Sequence, residues 1–579
     1  MAPPDASSRQ NQAKKSALAR PSSANSGLEL AKGFLWPALL LCIGFAVYSR
    51  SLKFDFILDD HRFTGDPRIQ ESGHIFDYFS SYVWAQFTGG PPSFYRPVFV
   101  LWMRLNFVLA ELSPWGWHFL SIAKHLLVGA VLWLLLARLL NDRLAAFVAA
   151  ALFVLHPSNT ESVSWVTVPD PLLTLGLLLS LLFYLRYVEG FSNGTEAFPR
   201  KSRKAAEHTT HRASGMWLIA SLAAYFAALL AKESAIVFPA VILVSALTEG
   251  KRPATRDRSR TVQAVLGSRE LWHFWLFAGL SLSYLLIRWS VLNGKLAPAT
   301  QQLPWSTVVL SWPATLWFYS KVLLWPVKSY SFADPMLIDR FSAHGVLWPL
   351  LALIGCALVL TAASVWAWRA AGNQLTEGET VKIRRGLISG ILLLILPLLL
   401  TLNLNALNPG DFLHGRYVYL PLAGLSIVLG ISLHLAHRLR LILLCIAGVL
   451  AISFLPLTWL QEKQWKDDST VFTIAHQLAP HNRPVARNLA NTRVRAALLI
   501  ADEGRCDEAM PVFEEVSRDF PEDWFAWAGR GICFVQRNEL VKAEESLHRA
   551  ADLSNDRRLI QQWQELRDHM GLSTSGPTN

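Results

Sequence analysis

Long apolar segments separated by short polar ones dominate the first 460 residues of the chain. The first apolar run extends from Phe34 to Tyr48 and lacks a small-residue cleavage site, so we interpret it as an uncleaved span rather than a signal peptide. A hydrocarbon core about 30 Å thick is crossed by about 20 residues of helix, which predicts about eleven spans. The ten further segments centre near Leu127, Ala150, Leu178, Ala223, Val241, Leu280, Ile354, Leu394, Leu425 and Val449.

The pattern changes after Trp459, where the chain becomes polar and helical in character. Ala509, in a Cys-Asp-Glu-Ala frame, recurs as Ala543 in Leu-Val-Lys-Ala, and the offset of 34 residues is the tetratricopeptide period. We therefore predict one or two degenerate tetratricopeptide units, closed by a helix from Arg557 to Met570. The predicted domains are a disordered basic tail at 1–32, a multispanning domain at 33–460, a helical domain at 461–572 and a disordered tail at 573–579.

Composition supports an all-α, polytopic membrane protein with an appended water-soluble part. Hydrophobic residues make up 52% of the 579 positions, the mean hydropathy is +0.29, and only 17% of residues are charged. The net charge of +11 does not indicate a nucleic-acid partner, because the basic residues fall in short loops rather than on one polar face. We explain the excess by membrane topology instead.

Every second loop between the apolar segments is basic, which predicts sidedness by the positive-inside rule. The N-terminus and five basic loops are therefore expected in the cytoplasm, at 138–143, 200–212, 251–260, 369–385 and 434–440. An acceptor-type sequence, Asn193-Gly194-Thr195, lies in one of these cytoplasmic loops and is discounted. The alternate loops then share one outer face, and an odd number of spans places the C-terminal domain there too.

Two of the outer loops are long, at 51–117 and 290–345. The second carries four tryptophans, which favours segments lying in the membrane interface. A further true span around Val308 to Leu324 is the alternative, and it would invert the topology of everything after it.

The five cysteines show no Cys or His spacing typical of a zinc site. Cys506 and Cys533 both lie in the C-terminal domain and could form a disulfide if that domain faces an oxidising compartment. The alternative is two buried free thiols.

Two adjacent carboxylates, Asp59 and Asp60, follow the first apolar run and are the first candidates for chemistry. Acids beside a membrane segment need water, a counter-charge or a substrate. The structural alternative is a helix cap, because Asp is favoured at helix N-termini.

Six short motifs fall on the predicted outer face. They are Leu58-Asp59-Asp60-His61, Tyr95-Arg96-Pro97-Val98, Trp117-His118-Phe119, Leu155-His156-Pro157 with Thr160-Glu161, Lys232-Glu233, and Gly415-Arg416-Tyr417-Val418-Tyr419-Leu420-Pro421. Together with the C-terminal repeats, they resemble one enzyme family: the multispanning GT-C glycosyltransferases, and among them the transmembrane and tetratricopeptide-containing O-mannosyltransferases.

The resemblance implies transfer of a sugar from a polyprenyl or dolichyl phosphate to an acceptor hydroxyl on the outer or lumenal face, with inversion at the anomeric carbon. This chain departs from the family in having few repeats, so its tail indicates a protein acceptor less strongly than a long array would.

The resemblance assigns roles to the two acids. A hydroxyl needs a positioned carboxylate to take its proton, and Asp59 matches the family's first acidic position, so it is the predicted base. Asp60 would orient the acceptor or hold a divalent ion, since paired carboxylate oxygens suit Mg²⁺ or Mn²⁺. No cofactor is otherwise required.

A lipid phosphate leaving group needs cations or aligned donors in a sheltered site. We predict phosphate binding by Arg416, Arg96, Lys232 and His156. Arg416 could instead be an interfacial anchor that snorkels to lipid headgroups, and His156 a structural residue at a helix end. The sugar or the acceptor would be oriented by Glu161, Asp170, Glu233 and Tyr95, although the acids could simply pair with the cations.

Two other classes of function compete with the enzyme. A membrane scaffold would use the C-terminal domain to bind a partner, but about eleven spans are excessive for an anchor. A transporter would place acids near the middle of the membrane and show an inverted repeat, and neither is evident. The basic, Ser-rich N-terminus favours a bacterial inner membrane, with the endoplasmic reticulum as the alternative.

Overall fold

The fold is described from a computed structural model, for residues 23–86, 94–194, 203–247, 269–294, 303–327, 334, 336–406, 413–554 and 557–572. These residues form helices joined by turns and contain no β-strand. The predicted tail at 573–579 and most of that at 1–32 lie outside the described residues. The first helix nevertheless begins at Ser23, inside the segment expected to be disordered.

The membrane domain contains seventeen α-helices within the described part of the chain. In chain order they are α1 (Ser23–Tyr48), α2 (Asp60–Thr64), α3 (Pro67–Gln70), α4 (Ile75–Ser80), α5 (Pro97–Ala110), α6 (Pro114–Leu140), α7 (Arg143–Leu155), α8 (Thr160–Ser164), α9 (Asp170–Gly194), α10 (Arg203–Ala231), α11 (Phe238–Leu247), α12 (Arg269–Val291), α13 (Trp305–Leu324), α14 (Trp348–Gln374), α15 (Glu377–Leu400), α16 (Tyr419–Leu435) and α17 (Arg440–Glu462).

Eight of the described helices are long and apolar enough to cross a membrane by length and composition. They coincide with eight of the eleven predicted apolar segments. The other three predicted segments, centred near Ala150, Ala223 and Val241, correspond to apolar helices of 10–17 residues. The all-α polytopic fold is therefore confirmed, and the count is eight rather than eleven because the described apolar parts of these three segments are shorter than a membrane span.

The membrane domain is held together by one continuous apolar core, to which α6, α7, α9, α10, α15 and α16 contribute. Close helix contact at one point depends on glycine. A Cβ on Gly424 of α16 would lie 2.5 Å from the backbone nitrogen of Leu394 in α15, so a side chain there would force the helices apart.

Both long loops contain helices. The first, at 51–117, carries the short helices α2, α3 and α4 and the apolar helix α5. The second carries α13, which is interrupted by Pro313 and is not among the eight candidate spans. Trp312 of α13 donates its indole N–H to the Leu402 carbonyl at 3.1 Å, which ties this helix to the end of α15.

Three of the loops predicted to be cytoplasmic meet one another. Glu189 at the end of α9 pairs with Arg138 at 2.6 Å and with Lys382 at 3.0 Å. Asp142 pairs with Arg440 at 2.8 Å. These three basic loops thus lie at one end of the bundle, as the alternation of loop charge requires of them, while the side of the membrane stays a prediction.

The C-terminal domain consists of α18 (Asp468–Leu478), α19 (Arg483–Asp502), α20 (Cys506–Asp519), α21 (Trp524–Gln536), α22 (Leu540–Ser554) and α23 (Arg557–His569). Helices α20 and α22 begin at Cys506 and Leu540, at the predicted 34-residue offset. Gly529 lets α21 pack directly on the Phe513 ring, where a Cβ would approach to 2.4 Å. Cys506 and Cys533 form a disulfide between α20 and α21.

Candidate active site

The predicted base lies on a constrained loop. Leu58 has a φ of 52°, in the left-handed region that non-glycine residues seldom adopt. The half-buried Asp59 follows and opens the short helix α2, because its carbonyl accepts hydrogen bonds from the Arg62 and Phe63 amides. Strained backbone of this kind persists only where the surroundings hold it, and it is common at functional sites.

Asp60 faces inward and is fully buried. Its Oδ1 accepts hydrogen bonds from the Thr167 hydroxyl at 2.7 Å and the Thr167 amide at 3.2 Å, and its Oδ2 accepts one from the Ile57 amide at 3.1 Å. Burial raises the pKa of Asp60 to about 7, although these donors oppose the shift. Asp60 therefore ties the acidic loop to the loop before α9.

These contacts fit Asp60 poorly to a metal. Both of its oxygens already accept protein donors, and no group of three or more potential metal-ligating side chains occurs among the described residues. The predicted role in holding a divalent ion receives no support from this arrangement, and no chemical step is assigned to a metal.

A cluster of charges lies at the same end of the bundle, beginning with Arg96. Its guanidinium makes two hydrogen bonds to Glu233, at 2.6 and 2.9 Å, and Arg288 approaches the same carboxylate at 3.7 Å. Burial opposes ionisation, yet the two cations hold the pKa of Glu233 well below its usual range. The Glu233 side chain remains 33% exposed, so this part of the cluster is open to a ligand.

Lys232 is the second cation of the cluster and is buried. Its ammonium donates to Asp170 at 2.6 Å and lies 4.9 Å from the centre of the Tyr417 ring. Burial lowers the pKa of Lys232, with Arg96 and Arg416 adding to the effect and Asp170 opposing it. An anion entering here would be stabilised by all three cations.

Arg416 lies on the other edge of Tyr417. Its guanidinium is 5.6 Å from that ring and 4.5 Å from the centre of the Trp165 ring. Its backbone amide donates to Oε2 of the fully buried Glu161 at 3.1 Å, and its side chain reaches Oε1 at 3.5 Å. His414 Nδ1 contacts the same Oε1 at 2.9 Å in a bent geometry. Glu161 thus fixes the loop that carries Arg416.

Two predicted site residues take structural positions. Nδ1 of His156 accepts the Ser158 amide at 3.3 Å, and Nε2 lies 3.2 Å from the Leu323 carbonyl. Burial lowers the pKa of His156 to about 4, which keeps the imidazole neutral, and both ring nitrogens already contact protein groups. Tyr95 is buried, and its hydroxyl donates to the Phe79 carbonyl at 3.0 Å.

An apolar groove of about 540 Å³ opens between α5 and the segment at 71–78. Its lining includes Ile75, Tyr78, Leu101, Trp102, Leu105 and Leu172. The Trp102 ring, which lines the groove, lies 5.7 Å from the ammonium of Lys124. Lys124 in turn is close enough to Asp60 and Asp170 to experience their charges.

Four residues of this region were not predicted as site residues: Lys124, Arg288, His414 and Asp468. Lys124 is buried in α6, donates to the Val168 carbonyl at 3.3 Å and experiences the charges of Asp60 and Asp170. A lysine inside an apolar run was the signal that could have identified it. Asp468 gave no such signal, since it lies in a polar helical stretch.

The sequence is similar to curated proteins named as protein O-mannosyl-transferases. It is 23% identical to Tmtc1 of Drosophila melanogaster over 516 residues, covering 76% of this chain and 57% of the relative. It is 30% identical to TMTC2 of Mus musculus over 159 residues, which is 26% of this chain and 19% of the relative. Mouse TMTC1 is 31% identical over 214 residues, or 36% of this chain and 21% of the relative.

The chain thus spans between about a fifth and somewhat more than half of the length of these relatives. No protein-family model matches it. The similarity to Tmtc1 over most of this chain confirms the resemblance to the transmembrane and tetratricopeptide-containing O-mannosyltransferases that the six motifs predicted.

Proposed function

We propose that this protein is a membrane glycosyltransferase that moves a sugar from a polyprenyl phosphate donor to an acceptor hydroxyl, with inversion at the anomeric carbon. Mannose is the expected sugar, because the relatives are named protein O-mannosyl-transferases. The observation that carries the proposal is the charge cluster: four cations and three carboxylates, with an excess of one positive charge, beside the acidic loop. The cations are Arg96, Lys232, Arg288 and Arg416, and the carboxylates are Glu161, Asp170 and Glu233.

The chemistry requires a base and a site for the leaving group. Asp59 takes the proton of the acceptor hydroxyl as its oxygen attacks the anomeric carbon. The bond between that carbon and the phosphate oxygen breaks, and the phosphate leaves with the electron pair. Lys232 and Arg416 then stabilise the departing phosphate, because both border Tyr417 and the cluster carries one more cation than carboxylates.

The lipid part of the donor has a candidate location in the apolar groove beside α5. Isoprenoid chains bind by burying apolar surface, and this groove is lined mainly by apolar and aromatic side chains. The Trp102 ring of this groove lies 5.7 Å from the ammonium of Lys124, so we propose that the phosphate end of the lipid lies on that side of the groove.

The C-terminal domain is the proposed site of acceptor recognition, and we propose that it shares the extracytoplasmic side with the active site. The disulfide between Cys506 and Cys533 supports this location, since disulfides persist in the periplasm and the endoplasmic reticulum. Both the bacterial inner membrane and the endoplasmic reticulum membrane satisfy this condition.

The proposal is tested with purified full-length protein and a panel of polyprenyl phosphate sugars. We expect one donor to be consumed, and Asp59→Asn to lower transfer by about 10²- to 10⁴-fold, the usual contribution of a general base. Asp55→Asn is the matched control, because Asp55 is an exposed acid of the same loop. Full activity of Asp59→Asn would exclude Asp59 as the base, and failure to consume any donor would favour the scaffold alternative.

A further inference from the structure

The loop that carries Asp59 is held from two directions by two different carboxylates. On the bundle side, Asp60 accepts the Ile57 amide at 3.1 Å. On the other side, Asp468 of the C-terminal domain accepts the Leu58 amide at 2.8 Å through Oδ1. Asp59 follows directly after these two anchored amides, so its position depends on both carboxylates.

Asp468 reaches the loop because it stands at the first position of α18. The preceding residue, Asp467, caps the helix by accepting the Thr470 amide at 2.8 Å and the Thr470 hydroxyl at 2.7 Å. Because Asp467 caps the helix, neither oxygen of Asp468 is needed as a cap. Its second oxygen, Oδ2, pairs with His61 Nε2 at 2.9 Å.

Further contacts attach the same region of the C-terminal domain to the loop. The Asp55 amide donates to the Lys466 carbonyl at 2.9 Å. Phe54 and Ile57 share a buried apolar cluster with Trp465, Val471 and Ala475. The loop is therefore packed between the bundle and α18, rather than projecting freely.

The left-handed conformation of Leu58 explains why the loop needs contacts on both sides. A left-handed non-glycine residue is destabilising and relaxes unless surrounding contacts fix it. The hydrogen bond that the Leu58 amide donates to Asp468 is a charge-assisted contact at the strained residue itself.

We propose that Asp468 is a positioning residue for Asp59, so that the C-terminal domain sets the geometry of the catalytic loop and is not only an acceptor-binding appendage. This inference rests on the proposed function for the identity of the base. The C-terminal domain then takes a direct part in turnover, through the contact between Leu58 and Asp468, which are 410 residues apart in sequence.

The test uses the full-length protein and three variants. Asp468→Ala removes the contacts to Leu58 and His61, and we expect kcat to fall about tenfold to a hundredfold with the donor KM unchanged, as for a displaced catalytic group. Asp468→Asn retains an oxygen that accepts the Leu58 amide, so its kcat should stay within about fivefold of wild type. Asp519→Ala removes an exposed acid of the C-terminal domain at the end of α20, and its kcat per folded molecule should be unchanged.

Amide hydrogen exchange over residues 57–62 gives a readout that does not depend on activity. Protection should fall in Asp468→Ala and persist in Asp519→Ala. Equal losses of kcat in the two alanine variants, or wild-type kcat and protection in Asp468→Ala, would overturn the proposal. If the wild-type protein consumes no donor while exchange behaves as expected, the proposed function fails and the clamp on the loop stands.

Discussion

An ion pair of the membrane domain and one of the C-terminal domain have the same length but differ in burial. In the membrane domain, Lys232 and Asp170 pair with side chains only 9% and 5% exposed. In the C-terminal domain, Arg493 and Glu515 pair at the same 2.6 Å distance, but their side chains are 41% and 42% exposed. Distance alone therefore does not distinguish these pairs, whereas burial does.

Burial changes what an ion pair costs. Removing two charges from water is expensive, and a well-packed apolar pair in the same place is often at least as stable. An exposed pair costs little and contributes little. Stability is thus a poor explanation for the buried pairs around Lys232, which favours a functional role for them. The exposed pairs cost little and require no such explanation.

The largest expected effect comes from breaking the buried pair. Lys232→Met leaves the Asp170 carboxylate buried without its counter-charge, and we expect a loss of about 3–5 kcal/mol in the free energy of unfolding. Thermal denaturation in detergent measures the loss. The double variant Lys232→Met with Asp170→Leu should recover most of the stability and yet transfer no sugar. A stable and active double variant would show that the pair is structural.

The C-terminal domain should depend instead on its core and its cross-link. Replacing Cys506 and Cys533 together by Ala is expected to cost about 2–4 kcal/mol, because the disulfide restricts the unfolded chain. Chemical denaturation with and without reductant measures this difference. Cys445→Ala, at a free thiol of α17, is the matched control. An unfolding midpoint that is insensitive to reduction would contradict the prediction.

Much of the membrane domain could be predicted from the chain because apolar length and loop charge are local properties. All eleven predicted segments contain helices, and the acids and cations of the six motifs do lie at one end of the bundle. Their pairing could not be predicted, because Lys232 and Asp170 are 62 residues apart and several cations were available to each acid. The contact of Asp468 with Leu58 was inaccessible for the same reason, since it depends on how two domains pack.

Asp60 provides an intermediate case. It is a buried acid whose hydrogen bonds described above come from the Thr167 hydroxyl and from the amides of Thr167 and Ile57, and none of these donors is charged. Asp60→Asn removes one of its acceptor oxygens, and we expect a loss of about 1–3 kcal/mol near pH 5. The pKa of Asp60 is raised from about 3.9 in the unfolded chain to about 7, so the wild type loses stability as pH rises through this range. Asn does not titrate, and the difference between the two proteins should shrink by pH 8. Denaturation at several pH values measures this trend, and a difference independent of pH would contradict it.

The smallest expected effect on stability concerns the exposed pair of Arg493 and Glu515. Arg493→Ala removes a two-bond contact with Glu515, at 2.6 and 2.7 Å, whose geometry matches or exceeds that of the buried pair. Because both side chains remain in water in either state, we expect a change below about 1 kcal/mol in unfolding free energy and no change in transfer. Thermal denaturation of Arg493→Ala, Glu515→Ala and the double variant gives the coupling energy directly. A coupling as large as that between Lys232 and Asp170 would mean that burial does not separate the two classes of pair, and the functional interpretation of the buried cluster would lose its physical basis.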